Sequence, residues 1–220
     1  MKALITSGGR GTRLRPITHT NNKHLIPIAN KPMLFYALEA VVEAGIKEVG
    51  VVVGSDTKQE IIHGLGNGNR WGISIIYIEQ DEPRGLAHAV KISESFIGKD
   101  SFIFYLGDNM VVGGVKRFIK EFETYKPNCQ LVLARVKNPQ RFGVPELRDG
   151  KIISIEEKPA NPKSPYAVTG LYIYDSTIFE AVNNICPSAR GELEISDAHQ
   201  YLLDKGLVVR CSEITGWWKD

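Results

Sequence analysis

Short apolar runs of strand length recur along this 220-residue chain, most followed by a stretch with helical spacing, and this alternation narrows the fold more than any other feature. Lys2–Thr6 is one such run and ends in a Ser7-Gly8-Gly9 turn. Glu48–Val53 is valine-rich, as befits a strand buried on both faces. Ser74–Glu79, Ser101–Leu106 and Gln130–Arg135 repeat the type. Between them, Met33–Ala44 sets Leu34, Ala37, Leu38, Val41 and Val42 at helical intervals and stops at Gly45. Thr57–His63, Leu86–Phe96 and Val115–Tyr125 also read as helices. The pattern predicts an α/β fold with a mostly parallel central sheet and helices on both faces.

After residue 140 the rhythm changes. Lys151–Glu157 and Ala167–Tyr174 read as strands separated by a proline-rich loop. Helices at Ser176–Asn183 and Glu194–Lys205 and a strand at Leu207–Glu213 complete a mixed second half. We expect a single domain, 1–220, with a nucleotide-type front lobe at 1–140 and a substrate-binding back lobe at 141–220. No stretch reads as a linker or repeat.

Charge and cysteine content bound the function. Lys and Arg number 27 against 25 Asp and Glu, a formal charge of +2, which argues against bulk binding to nucleic acid or anionic lipid. No apolar run approaches the roughly 20 residues of a membrane helix, and Met1–Thr6 leads straight into glycines rather than a signal-peptide core. Cys129, Cys186 and Cys211 are odd in number and widely spaced, which fits neither a disulfide framework nor a zinc site. A soluble, cytoplasmic protein is expected.

The polar motifs follow predicted strands, where open α/β sheets place ligands. In Gly8-Gly9-Arg10-Gly11-Thr12-Arg13-Leu14-Arg15, adjacent glycines let backbone N–H groups approach an anion, and three arginines add charge-assisted donors suited to phosphate. The loop is neither a Walker A motif nor a dinucleotide fingerprint, because Leu14 stands where a third glycine would be. A surface turn with solvated arginines is the competing reading. Gly107-Asp108-Asn109 follows an apolar strand, so Asp108 can hold Mg²⁺ on nucleotide phosphates, or it can cap a helix. Lys23 and the terminal Asp220 would be dismissed on their own. Glu157-Lys158 sets a carboxylate and an amine at a strand end, suited to sugar hydroxyls and phosphate, or equally a solvated ion pair. Arg190 can place a guanidinium near an anion, while Glu194 can equally start a helix. His19, His24, His63, His88 and His199 show no metal-ligand spacing.

Taken together these motifs resemble the sugar-phosphate nucleotidyltransferases. The loop Thr6–Thr18 is similar to the family's signature, and Lys23–Pro27, Asn30–Met33, Gly85–Ala89, Leu106–Asn109 and Phe142–Val144 follow in the family's order. Glu156–Pro159, Tyr166–Tyr172 and Ala189–Ile195 resemble the glucose-1-phosphate thymidylyltransferases within that superfamily. The resemblance implies a Rossmann-like nucleotidyltransferase fold and an Mg²⁺-dependent enzyme. It would make dTDP-glucose and pyrophosphate from dTTP and glucose 1-phosphate, without a covalent intermediate. It further implies that Gly8, Gly11 and Thr12 cradle the nucleotide, that Arg13 and Lys23 meet the triphosphate, and that Gln80 and Gly85 read the base. Asp108 and Asp220 would share the metal. Gly143, Glu157, Val168 and Thr169 would line the sugar, with Lys158 and Arg190 toward its phosphate. Homo-oligomerisation follows from the same likeness.

This chain departs from the family pattern at Thr6-Ser7, Asn22, His24 and Phe142, and the pattern continues past Asp220, so a truncated chain is expected. A UTP-using uridylyltransferase and a non-catalytic sugar-nucleotide-binding regulatory protein remain as alternatives. A glycosyltransferase would usually carry Asp-x-Asp, which Gly107-Asp108-Asn109 lacks.

Overall fold

In a computed structural model of the chain, residues 1–8 and 22–220 are described. Its strands are β1 (Lys2–Thr6), β2 (Pro27–Ile28), β3 (Lys31–Pro32), β4 (Glu48–Gly54), β5 (Ser74–Gln80), β6 (Phe102–Leu106) and β7 (Met110–Val111) in the first part. They continue as β8 (Cys129–Arg135), β9 (Gly143–Arg148), β10 (Lys151–Glu157), β11 (Tyr166–Tyr174), β12 (Val209–Glu213) and β13 (Trp218–Lys219). The helices are α1 (Met33–Glu43), α2 (Lys58–Leu65), α3 (Leu86–Lys91), α4 (Glu94–Ile97), α5 (Lys116–Tyr125), α6 (Ile178–Asn184) and α7 (Ile195–Asp204).

Seven strands form one sheet in the order β12-β8-β11-β6-β1-β4-β5. β1 pairs parallel with β4 and β6, β4 with β5, and β8 with β12. β11 alone runs antiparallel, against β6 and β8. The sheet is thus mostly parallel, as expected, and strands from both sides of residue 140 share it. The strand period of two explains its two cores. Ala3, Ile5, Val49, Val51, Ile103 and Tyr105 face α1, α2 and α5, while Leu4, Val52, Phe102 and Phe104 face α3, α6 and α7.

Two sequence expectations need correction. The helix read over Leu86–Phe96 is two helices, α3 and α4, meeting at buried Ser93, whose Oγ donates to the Ala89 carbonyl. A serine hydroxyl bonded back to the carbonyl four residues earlier competes with the helix's own ladder. The strand β9 was not foreseen, because Pro145 interrupts it; it pairs antiparallel with β10 in a separate two-stranded sheet, where proline is tolerated. That small sheet packs against α7 and the end of β11 and supplies one wall of the site.

Candidate nucleotide and sugar-phosphate site

The carboxyl ends of β1 and β6 meet the 3-10 turn Lys23–Leu25. Gly107 permits this approach: a Cβ there would lie 2.7 Å from Leu34 and 3.3 Å from the His24 ring. Asp108 follows, and its Oδ2 accepts from Lys23 Nζ at 2.5 Å, while Oδ1 accepts from Asn109 Nδ2 at 3.0 Å. Burial pushes the Asp108 carboxyl up, but the charge and hydrogen bond of Lys23, with the Asn109 bond, bring it below the ordinary carboxylate range. It is ionised at neutral pH. His24 is buried beside it, and burial with the Lys23 charge lowers its pKa to about 3, so it is neutral. Asn22 Oδ1 accepts from both the His24 backbone N–H and its Nδ1, which fixes the tautomer.

Asn109 ties this corner to two other strands. Its Oδ1 accepts from the Gly170 backbone N–H in β11 at 3.0 Å and from Trp218 Nε1 in β13 at 2.8 Å. β13 pairs antiparallel with β7, Lys219 opposite Met110, so Asp220 arrives at the Asp108-Asn109 corner. Asn109, Trp218 and Asp220 all border a cavity of 550 Å³.

The cavity's far wall holds four of the six residues expected at the sugar phosphate. Gly143 of β9, Glu157 of β10, Lys158 and Val168 of β11 line it. Glu157 Oε1 lies 3.4 Å from Lys158 Nζ and 3.6 Å from Arg190 Nη2. Lys158 is left-handed at φ 46°, and its N–H donates to the Phe142 carbonyl, so the chain reverses directly after Glu157. Backbone conformations of this cost, about 1–3 kcal/mol, gather at ligand sites. Arg190 is held by Glu194, whose two oxygens accept from its fork at 2.8 Å each. Those hydrogen bonds push the guanidinium pKa up, and the group is a fixed cation.

Comparison with known proteins decides the family. The nucleotidyl transferase pattern matches residues 2–220. The chain belongs to the nucleotidyl transferase family. It is 55% identical over 221 residues to a glucose-1-phosphate thymidylyltransferase of Streptomyces griseus, covering 100% of this chain and 62% of that protein. It therefore spans less than two thirds of that relative's length. A Bacillus anthracis protein described as a glucose-1-phosphate thymidylyltransferase, solved in complex with a sucrose, superimposes with TM-score 0.94 at 40% identity, covering 100% of this chain and 89% of that one. A UDP-glucose pyrophosphorylase complexed with UDP-glucose superimposes with TM-score 0.87 at 26% identity, covering 100% and 92%. The fold is the Rossmann-like one of these nucleotidyltransferases.

On this nucleotidyltransferase frame most sequence-predicted residues can be placed. Gly11, Thr12 and Arg13 lie outside the described residues. Gly8 ends the described part of the first loop, and a Cβ on it would sit 3.8 Å from Gln80 Oε1. Gln80 Nε2 donates to the Gly85 carbonyl at 3.3 Å and to His88 Nδ1 at 3.0 Å. Because a carbonyl can only accept, the amide orientation is set, and among the described residues no hydrogen bond is made to Oε1. Arg190 reaches the site through Glu157 rather than as a cavity wall. Thr169 is turned away: alternation along β11 sends its hydroxyl to the Val132 carbonyl, and Val168 and Gly170 face the cavity instead. Asn109, Ser196 and Trp218 were missed, since each acquires its role only through partners remote in sequence.

Proposed function

We propose that this chain is a sugar 1-phosphate nucleotidyltransferase joining dTTP to glucose 1-phosphate. The observation that carries it is a pair of charge clusters flanking the cavity, Lys23–Asp108 next to its Asn109 and Asp220 end and Glu157 with Lys158 and Arg190 at its other wall. Two anions must be brought together, and fixed cations at both ends offset their repulsion. A phosphate oxygen of the sugar phosphate attacks the α-phosphorus of the nucleotide. The α-phosphorus–oxygen bond to the β-phosphate breaks, and pyrophosphate leaves with that electron pair. Lys158 and Arg190 orient the attacking phosphate, and Glu157 takes sugar hydroxyls. Lys23 transfers from Asp108 to the triphosphate, and Arg13 joins it by family likeness. Gln80 Oε1 accepts from the base.

The residues present suit Mg²⁺. Asp108 is held ionised and Asp220 is brought to the same corner, while no cluster of three or more metal-binding side chains exists among the described residues. Two carboxylates, completed by water and substrate phosphates, are the usual protein share of a magnesium site. When bound there, Mg²⁺ supplies charge neutralisation to the phosphates.

The likeness to a UDP-glucose pyrophosphorylase favours UTP as a second reading. Comparing kcat/KM for dTTP and UTP at saturating glucose 1-phosphate separates the two. A dTTP preference is expected, and a UTP preference reverses the assignment. No helix among the described residues is long and apolar enough to cross a membrane, and nucleoside triphosphates are intracellular, so the cytoplasm is the compartment this reading implies.

A further inference from the structure

Ser196 stands in the first turn of α7 and is only 2% exposed. Its hydroxyl forms no bond with its own helix; Oγ donates to Glu157 Oε2 at 2.7 Å. Both residues border the cavity. The other carboxylate oxygen, Oε1, is the one nearest Lys158 and Arg190. The terminal torsion of a glutamate is broad when nothing holds it. A charge-assisted hydrogen bond from a buried hydroxyl removes that freedom. Gly143 closes the arrangement from β9: a Cβ there would lie 2.7 Å from Ser196 Oγ and 3.3 Å from Glu157 Oε2. Three elements that are far apart in sequence, β9, β10 and α7, thus converge on one carboxylate.

We propose that Ser196 is a positioning residue for sugar recognition. It anchors Glu157 through Oε2 so that Oε1 alone is presented, at a fixed angle, to the sugar hydroxyls of the incoming 1-phosphate. The inference rests on reading the cavity as the sugar-phosphate site. A serine with this role governs the sugar partner and leaves the nucleotide partner untouched, because Gln80, Lys23 and Asp108 lie on other elements. It acts only through Glu157. The same geometry explains why β9 carries glycine at 143, where any side chain would press on the Ser196–Glu157 bond.

The test is steady-state kinetics of pyrophosphate release by the full chain with glucose 1-phosphate and dTTP, on wild type, Ser196→Ala, Ser196→Thr, Glu157→Ala and the double variant Glu157→Ala with Ser196→Ala. Ser196→Ala should raise KM for glucose 1-phosphate about tenfold, the scale of one hydrogen bond to a charged group. KM for dTTP should stay within about twofold, with kcat little changed. Ser196→Thr, which keeps the hydroxyl, should recover most of the loss. In the Glu157→Ala background the serine change should add nothing, because contacting residues acting through one another are not additive. Gly143→Ala, whose Cβ would press on the Ser196–Glu157 bond while the hydroxyl stays in place, should raise the same KM, which keeps the idea testable if Ser196→Ala folds poorly. Equal rises in both KM values, or a full additional loss in the Glu157→Ala background, would overturn the inference and leave Ser196 a packing residue. Normal wild-type turnover with an unaffected Ser196→Ala would sink this inference alone. A wild type inactive with both dTTP and UTP would remove the proposed function and this inference with it.

Discussion

Lys23 Nζ lies 2.5 Å from Asp108 Oδ2, a cation and a carboxylate 85 residues apart in sequence joined at the carboxyl ends of the central strands β1 and β6. In the proposed reaction both are needed by the nucleotide phosphates, so the pair is a resting arrangement in which each neutralises the other. A unit charge at about 4 Å and an effective dielectric near 20 is worth about 4 kcal/mol, enough to weaken a metal ion competing for the same carboxylate. Lys23→Met should therefore tighten Mn²⁺ binding to the nucleotide-free protein by at least about tenfold while lowering kcat/KM for the nucleotide. Electron paramagnetic resonance of free Mn²⁺ reads the first effect directly. Unchanged Mn²⁺ affinity would show that Lys23 does not hold the metal carboxylate.

Asp108→Asn should lower kcat by about a hundredfold or more, the scale of losing a phosphate-neutralising charge, with the circular dichroism spectrum unchanged. The same variant alters acid stability. The folded pKa of Asp108 lies below its unfolded value, so its contribution is present above about pH 3.9 and is lost as pH falls through the lower folded value. Urea melts at pH 5 and pH 3 should show a smaller acid loss in Asp108→Asn than in wild type. An equal loss would mean that the Lys23 pairing contributes nothing to folding.

His199 gives a second, independent acid sensitivity. It is fully buried on α7, its Nε2 is bonded to the Tyr174 hydroxyl at 2.7 Å, and burial lowers its pKa to about 3. Below the ordinary histidine value of about 6.5 the unfolded chain binds a proton that the folded chain refuses. Stability is therefore whole above pH 6.5 and declines toward pH 3 by up to about 1.4 kcal/mol per pH unit for this one group. His24, lowered to about 3 for the same first reason, adds a second such slope. His199→Gln should flatten the decline between pH 6 and pH 4 whatever its effect at pH 7. An unaltered slope would mean that the imidazole is protonated in the folded protein.

Base selection should depend on His88. By accepting from Gln80 Nε2 it orients Oε1 as an acceptor, which under the proposed base contact suits the N3–H donor of thymine or uracil and not the N3 acceptor of cytosine. His88→Leu should cut the dTTP-over-CTP ratio of kcat/KM by about tenfold, with glucose 1-phosphate KM unchanged. A ratio equal to wild type would show that the Gly85 carbonyl alone orients the amide.

The sheet was legible in the sequence because its strands are short, apolar and bounded by glycine or polar turns. Glu48–Gly54 and Phe102–Leu106 owe their buried valines, phenylalanines and tyrosine to helices covering both faces. Asp108 was legible for a related reason, since a carboxylate directly after a buried strand has few structural uses. Asp220 was not, because its place depends on two-residue pairing between β7 and β13. Ser196 sits in an ordinary amphipathic helix, and nothing local distinguishes it from a surface serine. Its meaning comes from Glu157, 39 residues earlier. Thr169 was assigned to the sugar from motif likeness, and strand alternation places its hydroxyl on the opposite face.

The most direct measurement is pyrophosphate release by the 220-residue chain from dTTP and glucose 1-phosphate with Mg²⁺, with dTDP-glucose quantified in the same reaction. The account predicts equimolar pyrophosphate and dTDP-glucose, dependent on both substrates and suppressed in Asp108→Asn. Pyrophosphate released without glucose 1-phosphate, or no release with either dTTP or UTP, would contradict it.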